Sequence, residues 1–129
     1  CTLGNYCPTG SAAPVPCPAG YFGSTYYLST SSCSGQCDAG YFGSDIGQTT
    51  STCNGQCSAG YFCTTGSTSA IQNLCGVGFY CPAGSSTQSQ CAAGYYGSSG
   101  GQSWSTCSGQ CSAGYYVRSL CLSVLVAAL

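Results

Sequence analysis

Charged side chains are almost absent from this sequence of 129 residues. One arginine and two aspartates are its only charged side chains at neutral pH, and it has no histidine and no methionine. Nucleic-acid binding needs clustered Lys or Arg to neutralise phosphates, so nucleic acid is not an expected partner. Acid–base catalysis near neutral pH relies on His, Glu, Lys or Asp with adjusted pKa values. We therefore expect neither an enzyme nor a cofactor.

Long apolar segments are missing as well. The longest apolar stretch, residues 120–129, is interrupted by Ser123. It has about half of the roughly 20 residues that a membrane-spanning helix needs, so no transmembrane segment is expected. Leu, Ile, Val and Phe together number only 18, which is too few for an ordinary hydrophobic core.

Cysteine is abundant instead, with 14 residues, and it marks an internal repeat. The repeated phrase is Cys, a variable residue, usually Ala, then Gly and two aromatic residues, as in Cys37-Asp-Ala-Gly-Tyr-Phe42. Looser copies of the phrase open at Cys1 and Cys75. Seven units cover residues 1–116, and an apolar segment follows at residues 117–129. The units, numbered 1 to 7, begin at Cys1, Cys17, Cys37, Cys57, Cys75, Cys91 and Cys111.

The position of the second cysteine divides the units into two types. In the long units 2, 3 and 6, it lies sixteen residues after the first, at Cys33, Cys53 and Cys107. In the short units 1, 4 and 5, it lies six residues after the first, at Cys7, Cys63 and Cys81. Unit 7, with Cys111 and Cys121, fits neither type.

A short repeat of this kind predicts a stacked array, because no unit can bury a face alone. Gly, Ser, Thr and Cys dominate and no apolar period of 3.6 residues is present, so we expect a loop-rich, disulfide-rich rod with short β-hairpins and no helix. We further predict that the aromatic doublets stack along its axis. These residues are Tyr21, Phe22, Tyr41, Phe42, Tyr61, Phe62, Phe79, Tyr80, Tyr95, Tyr96, Tyr115 and Tyr116.

The even number of regularly spaced cysteines predicts structural disulfides, hence an extracellular, oxidising location. Zinc is less suitable, because there is no histidine and almost no cation to offset thiolate charge. Spacing leaves two connectivities open. In the first, which we favour, each unit closes on itself: Cys1 with Cys7, Cys17 with Cys33, Cys37 with Cys53, Cys57 with Cys63, Cys75 with Cys81, Cys91 with Cys107, and Cys111 with Cys121. In the second, each later cysteine joins the next unit's first cysteine, which leaves Cys1 and Cys121 to link subunits.

Hydroxyl residues cluster at a fixed phase of the units and are candidate O-glycan acceptors. The alternative is that they are plain loop residues. The candidates are Ser29, Thr30, Thr49, Thr50, Thr52, Thr64, Thr65, Thr68, Thr87 and Thr106.

The chain's low charge also bears on its solubility. A formal net charge of −1 on a chain of positive mean hydropathy makes a poor soluble monomer. We therefore expect the chain to assemble with itself, to carry glycans, or both. The apolar segment 117–129 is a candidate assembly segment, with a local cap or the remnant of a lipid-anchor signal as alternatives. The start at Cys1 without a signal peptide suggests a processed product or part of a longer array.

Two segments, Cys17-Pro-Ala-Gly-Tyr-Phe22 and Gly78-Phe-Tyr-Cys-Pro-Ala-Gly84, resemble the ephrin-receptor-like cysteine-rich repeats of large surface proteins of algae and other protists. In style these repeats are similar to tumour-necrosis-factor-receptor and EGF-like modules. The resemblance covers residues 1 to about 116 and implies a secreted, disulfide-laddered rod for structure, adhesion or binding. It supplies no catalytic residues.

These observations lead to one functional expectation and one alternative. We expect a structural glycoprotein subunit of an extracellular filament or cell-surface appendage, built by helical assembly of identical chains. The alternative is a binding module within an adhesion or receptor ectodomain.

Overall fold

The computed structural model describes residues 1–113, which form a series of small hairpins without any helix. Every strand is two residues long, because the Gly- and Ser-rich sequence between the cysteines favours turns over long strands. The strands are β1 (Asn5–Tyr6), β2 (Val15–Pro16), β3 (Tyr21–Phe22), β4 (Gly35–Gln36), β5 (Tyr41–Phe42), β6 (Gly55–Gln56), β7 (Tyr61–Phe62), β8 (Asn73–Leu74), β9 (Phe79–Tyr80), β10 (Ser89–Gln90), β11 (Tyr95–Tyr96) and β12 (Gly109–Gln110). The predicted disulfide-rich, loop-rich hairpin repeat is confirmed for these residues.

In units 2 to 6, the hairpin pairs the aromatic doublet of the unit with the last two residues of the same unit, and in unit 1 Asn5–Tyr6 takes the place of the doublet. The six pairs, from β1 with β2 to β11 with β12, are all antiparallel. In unit 2, Tyr21 lies opposite Gln36 and Phe22 opposite Gly35. The amide of Gln36 donates a hydrogen bond to the Tyr21 hydroxyl at 3.2 Å, which fixes the tyrosine ring over the hairpin.

The first cysteine of the next unit continues each hairpin by one hydrogen bond. The Cys37 N–H donates to the carbonyl of Gly20 at 2.8 Å, and the same bond recurs from Cys17 to Gly4 and from Cys57 to Gly40. Because the chain leaves one hairpin at the point where it enters the next, successive units are held in a fixed relation.

Neighbouring units are joined by main-chain hydrogen bonds that repeat along the chain. In units 1 to 4, the glycine three residues after the first cysteine donates to the next unit, as Gly20 does to the Gly43 carbonyl at 2.9 Å and Gly40 to the Cys63 carbonyl at 2.8 Å. A bond in the opposite direction runs from the Gly66 N–H to the Cys37 carbonyl at 2.9 Å. The contact between units is thus made by backbone groups, whose positions depend little on the identity of the surrounding side chains.

The same glycines also touch the unit after next. A Cβ added to Gly40 would lie 2.5 Å from the carbonyl oxygen of Gly84, and one added to Gly20 would lie 2.6 Å from that of Gly66. No real Cβ tolerates such a distance, so only glycine permits this approach. Units 1 to 4 therefore each contact two successors.

The buried apolar side chains of the described residues are all cysteines. Six of them are no more than 1 % exposed, and Cys91 is 6 % exposed. The six are Cys17, Cys37, Cys57, Cys63, Cys75 and Cys81. Sulfur, rather than the scarce aliphatic carbon, fills the interior of the array.

The prediction that the aromatic doublets stack on one another is wrong for the part of the chain that the structure describes. The only close ring pair there joins Tyr26 and Tyr27, outside the doublets, with centroids 6.4 Å apart. The doublet rings instead lie across their own hairpins. A Cβ on Gly35 would lie 3.7 Å from the Phe22 ring, and one on Gly109 would lie 3.6 Å from the Tyr96 ring. Because glycine has no side chain, the opposite ring covers its backbone.

Candidate functional site

Six disulfides brace the described units, and each closes a unit on itself. They join Cys1 to Cys7, Cys17 to Cys33, Cys37 to Cys53, Cys57 to Cys63, Cys75 to Cys81 and Cys91 to Cys107, with Cα atoms 5.8 to 6.0 Å apart. These are the first six pairs of the connectivity that spacing favours. Cys111 is disulfide-bonded too, whereas Cys121, Tyr115, Tyr116 and the candidate assembly segment 117–129 lie outside the described residues.

Long and short units bring the second sulfur to one place by different routes. In short unit 4, Cys63 follows the first cysteine by six residues and bonds to it directly. In long unit 3 the matching residue is Gly43, and a Cβ there would lie 2.7 Å from the Cys37 Sγ and 3.3 Å from the Cys53 Sγ. The distant Cys53 thus occupies the space that a side chain at position 43 would need.

The two aspartates, which are the charged side chains of residues 1–113, do not gather into a reactive site. Asp38 accepts a hydrogen bond from the Ser51 hydroxyl at 2.6 Å, and Asp45 accepts one from the Asn54 amide at 2.6 Å. Both bonds are exposed and lie within loops of unit 3. Among residues 1–113, no three His, Cys, Asp or Glu side chains are grouped so that they could hold a metal ion.

The described chain also contains no helix that could span a membrane. Numerous disulfides are typical of secreted and extracellular proteins, because reducing compartments keep thiols unpaired. The bridges therefore indicate an oxidising environment, and they leave no sulfur of the six pairs available for chemistry.

The candidate glycan acceptors all lie on the surface. Each of the ten Ser and Thr residues predicted from the clusters is exposed. Several are held in place by local hydroxyl contacts, such as the one between Thr50 and Thr52 at 3.2 Å. Their placement makes every one of them accessible to a modifying enzyme.

An aromatic cleft, which sequence reasoning missed, lies between units 4, 5 and 6. It has a volume of about 410 Å³ and is lined mostly by apolar atoms of Ala59, Tyr80, Pro82, Ala83 and residues 103–105. The central residue of that last stretch, Trp104, is 76 % exposed. A signal was present in the sequence, since this single tryptophan interrupts a hydroxyl cluster of unit 6.

A second exposed aromatic feature lies in unit 2. Tyr27 is 87 % exposed and has a φ of 65°, a left-handed conformation that is unfavourable for a residue with a side chain. The equivalent residues of the other long units are Gly47 and Gly101, with φ of 75° and 77°. An alignment of the long units by sequence alone would have identified Tyr27 as the exception at this position.

The fold and the bridges define the class of molecule: a disulfide-rich, cysteine-repeat hairpin array. No family model and no curated protein matches the chain.

Proposed function

We propose that the chain is a structural subunit of an extracellular filament or cell-surface appendage, assembled from copies of itself. The observation that carries the proposal is the combination of a sulfur-filled interior with a surface that is almost free of charge. A disulfide stabilises the fold of each of units 1 to 6, while the chain carries too little charge to keep separate molecules apart by repulsion. Such a molecule suits a permanent assembly outside the cell.

The way in which the units are joined supports the same reading. Main-chain bonds and glycine contacts repeat from unit to unit, so the array has no need of a large core to extend along one direction. Exposed apolar side chains remain on its surface, among them Ile46 at 63 %, Ile71 at 58 % and Leu74 at 57 %. Apolar groups left in water favour association with further copies.

O-glycans would serve the assembled form. The exposed Ser and Thr clusters offer acceptor hydroxyls, and a sheath of sugar would keep filaments apart where charge cannot. The chain's own copies and covalent glycans are therefore the proposed partners.

Electron microscopy of the purified oxidised chain tests the assembly. We expect filaments with a regular axial repeat, formed at neutral pH and insensitive to salt, because few charges take part. A chain fully reduced and alkylated is the control, and it should form none. Particles that stay single at all accessible concentrations would remove the filament proposal.

Intact mass before and after reduction tests the covalent partners in material from the native source. A mass above the 12.9 kDa of the chain that falls after chemical removal of O-glycans would support the sugar sheath. A mass that matches the bare oxidised chain would remove it. Multiples that collapse on reduction would reveal bridges between subunits.

The second candidate is a binding module of an adhesion or receptor protein, and the aromatic cleft at Trp104 is the observation that favours it. The resemblance to ephrin-receptor-like repeats is compatible with this candidate, since such modules occur in large surface proteins. Single, non-assembling molecules that retain a ligand through this cleft would favour the module over the filament.

A further inference from the structure

The tryptophan in the cleft is not required by the fold of its loop. Trp104 stands thirteen residues after the first cysteine of unit 6, where the other long units have Thr30 and Thr50. All three residues accept the same main-chain hydrogen bond from the cysteine three residues later, at 2.9 Å for Trp104 and 3.0 Å for each threonine. The loop therefore forms equally well around threonine, and the exposed indole needs another explanation.

The chemistry of the cleft limits what can fill it. Among the residues that the structure describes, its lining has no charged side chain and consists mainly of aromatic, proline and alanine surface. Its volume of about 410 Å³ lies within the range of about 300–1,000 Å³ that is usual for binding pockets. Aromatic grooves of this type bind proline-rich extended segments, because such segments are stiff and lose little conformational entropy on binding.

The chain itself carries a matching segment in unit 1. Residues 8–16 form the longest uninterrupted exposed run of the described chain, and they contain three of its five prolines. The run is uncharged. It begins with a turn in which the Ser11 N–H donates to the Pro8 carbonyl at 3.0 Å, and it ends in Pro14-Val15-Pro16, of which β2 (Val15–Pro16) is held extended by pairing with β1 (Asn5–Tyr6). Prolines 14 and 16 lack an N–H, so this edge cannot donate sheet hydrogen bonds from those positions, and its side chains and carbonyl oxygens are the groups left to contact a partner.

We propose that the Trp104 cleft binds the proline segment, residues 8–16, of a second copy of this chain. Within one molecule, the hydrogen bonds that unit 1 makes to other units go to unit 2, whereas the cleft belongs to units 4, 5 and 6. A contact between different surfaces of successive copies is head-to-tail, and it generates a filament wherever the rotation between copies does not close a ring. The inference rests on the proposed self-assembly and names the two surfaces that would carry it.

The only tryptophan of the chain allows a direct test, because its fluorescence reports the cleft alone. A synthetic peptide of residues 8–16, with blocked ends, is titrated into the oxidised full chain under dilute, non-assembling conditions. We expect a saturable change in fluorescence intensity or wavelength. The matched control peptide carries Pro14→Ala and Pro16→Ala, and we expect its affinity to fall about tenfold, as for loss of central contacts. No response to the native peptide would overturn the proposal.

The variant Trp104→Thr provides the second arm, since it restores the residue that the equivalent loops contain. Binding is followed by anisotropy of a fluorescein-labelled peptide, and we expect at least about tenfold weaker binding to the variant. Unchanged disulfide pairing by non-reducing peptide mapping controls for its folding. Equal binding to the variant and to the native chain contradicts the assignment of the cleft.

Assembly measured on the same proteins separates this inference from the proposed function. Native chains that bind the peptide but never form filaments support the cleft and refute the filament. Filaments that form equally in Trp104→Thr, with no peptide binding to the native chain, refute the cleft and leave the filament. If assembly requires Trp104 but the native chain does not bind the peptide, residues 8–16 are not the segment that occupies the cleft, and the proposal is overturned. Residues 117–129 then become the next segment to test.

Discussion

Long and short units reach the same interior by different covalent paths. Short unit 4 supplies its second sulfur from Cys63, close in sequence, whereas long unit 3 has Gly43 there and brings Cys53 back across a sixteen-residue loop. The carbonyl groups of Gly43 and Cys63 nevertheless accept equivalent bonds from the preceding unit, at 2.9 and 2.8 Å. The position of the sulfur, rather than the path of the chain, is what the array requires.

The largest effect should come from converting one unit type into the other. We expect Cys53→Ser to lower the free energy of unfolding by about 3 kcal/mol, the value for losing a loop closure of this length. Adding Gly43→Cys should restore most of that loss through a bridge between position 43 and Cys37. Chemical denaturation and disulfide mapping measure both effects. A double variant that stays folded with both thiols free would show that the two routes are not equivalent.

Both unit types make the close glycine contact with the unit after next. Blocking that contact with a side chain should therefore lower the free energy of unfolding equally in both types. A Cβ added to Gly40, in a long unit, would lie 2.5 Å from the carbonyl oxygen of Gly84, two units further along the chain. One added to Gly60, in a short unit, would lie 2.5 Å from the carbonyl oxygen of Gly101. We expect Gly40→Ala and Gly60→Ala each to destabilise by about 3 kcal/mol, from overpacking added to an unfavourable φ.

Gly10→Ala is the matched control for these two variants. Gly10 has a φ of 81° but no atom within 4 Å of an added Cβ. Its substitution should cost only about 1 kcal/mol, the conformational part alone. Thermal unfolding of the three variants would decide whether close approach matters, and equal losses for all three would argue that it does not.

A smaller effect of opposite sign is expected in long unit 2. Tyr27→Gly relieves the left-handed strain of a residue that buries little surface, although glycine also gains entropy in the unfolded chain. We expect a net gain of about 0.5 kcal/mol in the free energy of unfolding. Gly47→Tyr, the reverse change at the equivalent position of unit 3, should be destabilising. A loss of stability in Tyr27→Gly would mean that the tyrosine makes contacts that matter to folding.

An equally small effect concerns a hydrogen bond that long units 2 and 6 share. The Ser34 hydroxyl accepts a hydrogen bond from the Ser24 N–H at 2.9 Å, and Ser108 does the same for Ser98 at 3.0 Å. We expect Ser34→Ala to cost about 0.5 kcal/mol, since the bond is exposed and water can replace it. The neighbouring Ser32→Ala serves as a control that leaves this bond in place.

The cysteine pattern was sufficient to predict the hairpin repeat and a connectivity that includes all six described bridges. These features depend on spacing along the chain, which the sequence displays directly. The predicted stacking of the aromatic doublets was wrong because the repeat period gives the position of Phe22 within its unit but not the direction in which its ring points. Contacts between units are made instead at glycines such as Gly20 and Gly40. Because glycine has no side chain, an apolar pattern in the sequence does not reveal these positions.

The Trp104 cleft could not be predicted for a related reason. Its walls come from three units, so it exists only once the contacts between neighbours are known. The exceptional residues themselves, Trp104 and Tyr27, could have been found by aligning the long units with one another. Departures from a repeat are therefore a practical guide to sites that folding alone does not explain.

The contacts between units are made mainly by main-chain groups, and this affects which substitutions such a sequence can accept during evolution. Because those contacts depend on glycine and cysteine and not on the residues between them, most outward-facing positions can be substituted without loosening the array. Whole units could likewise be gained or lost by duplication or deletion, provided that the glycine phase is kept. An organism could thus alter the length and the surface chemistry of such an array independently.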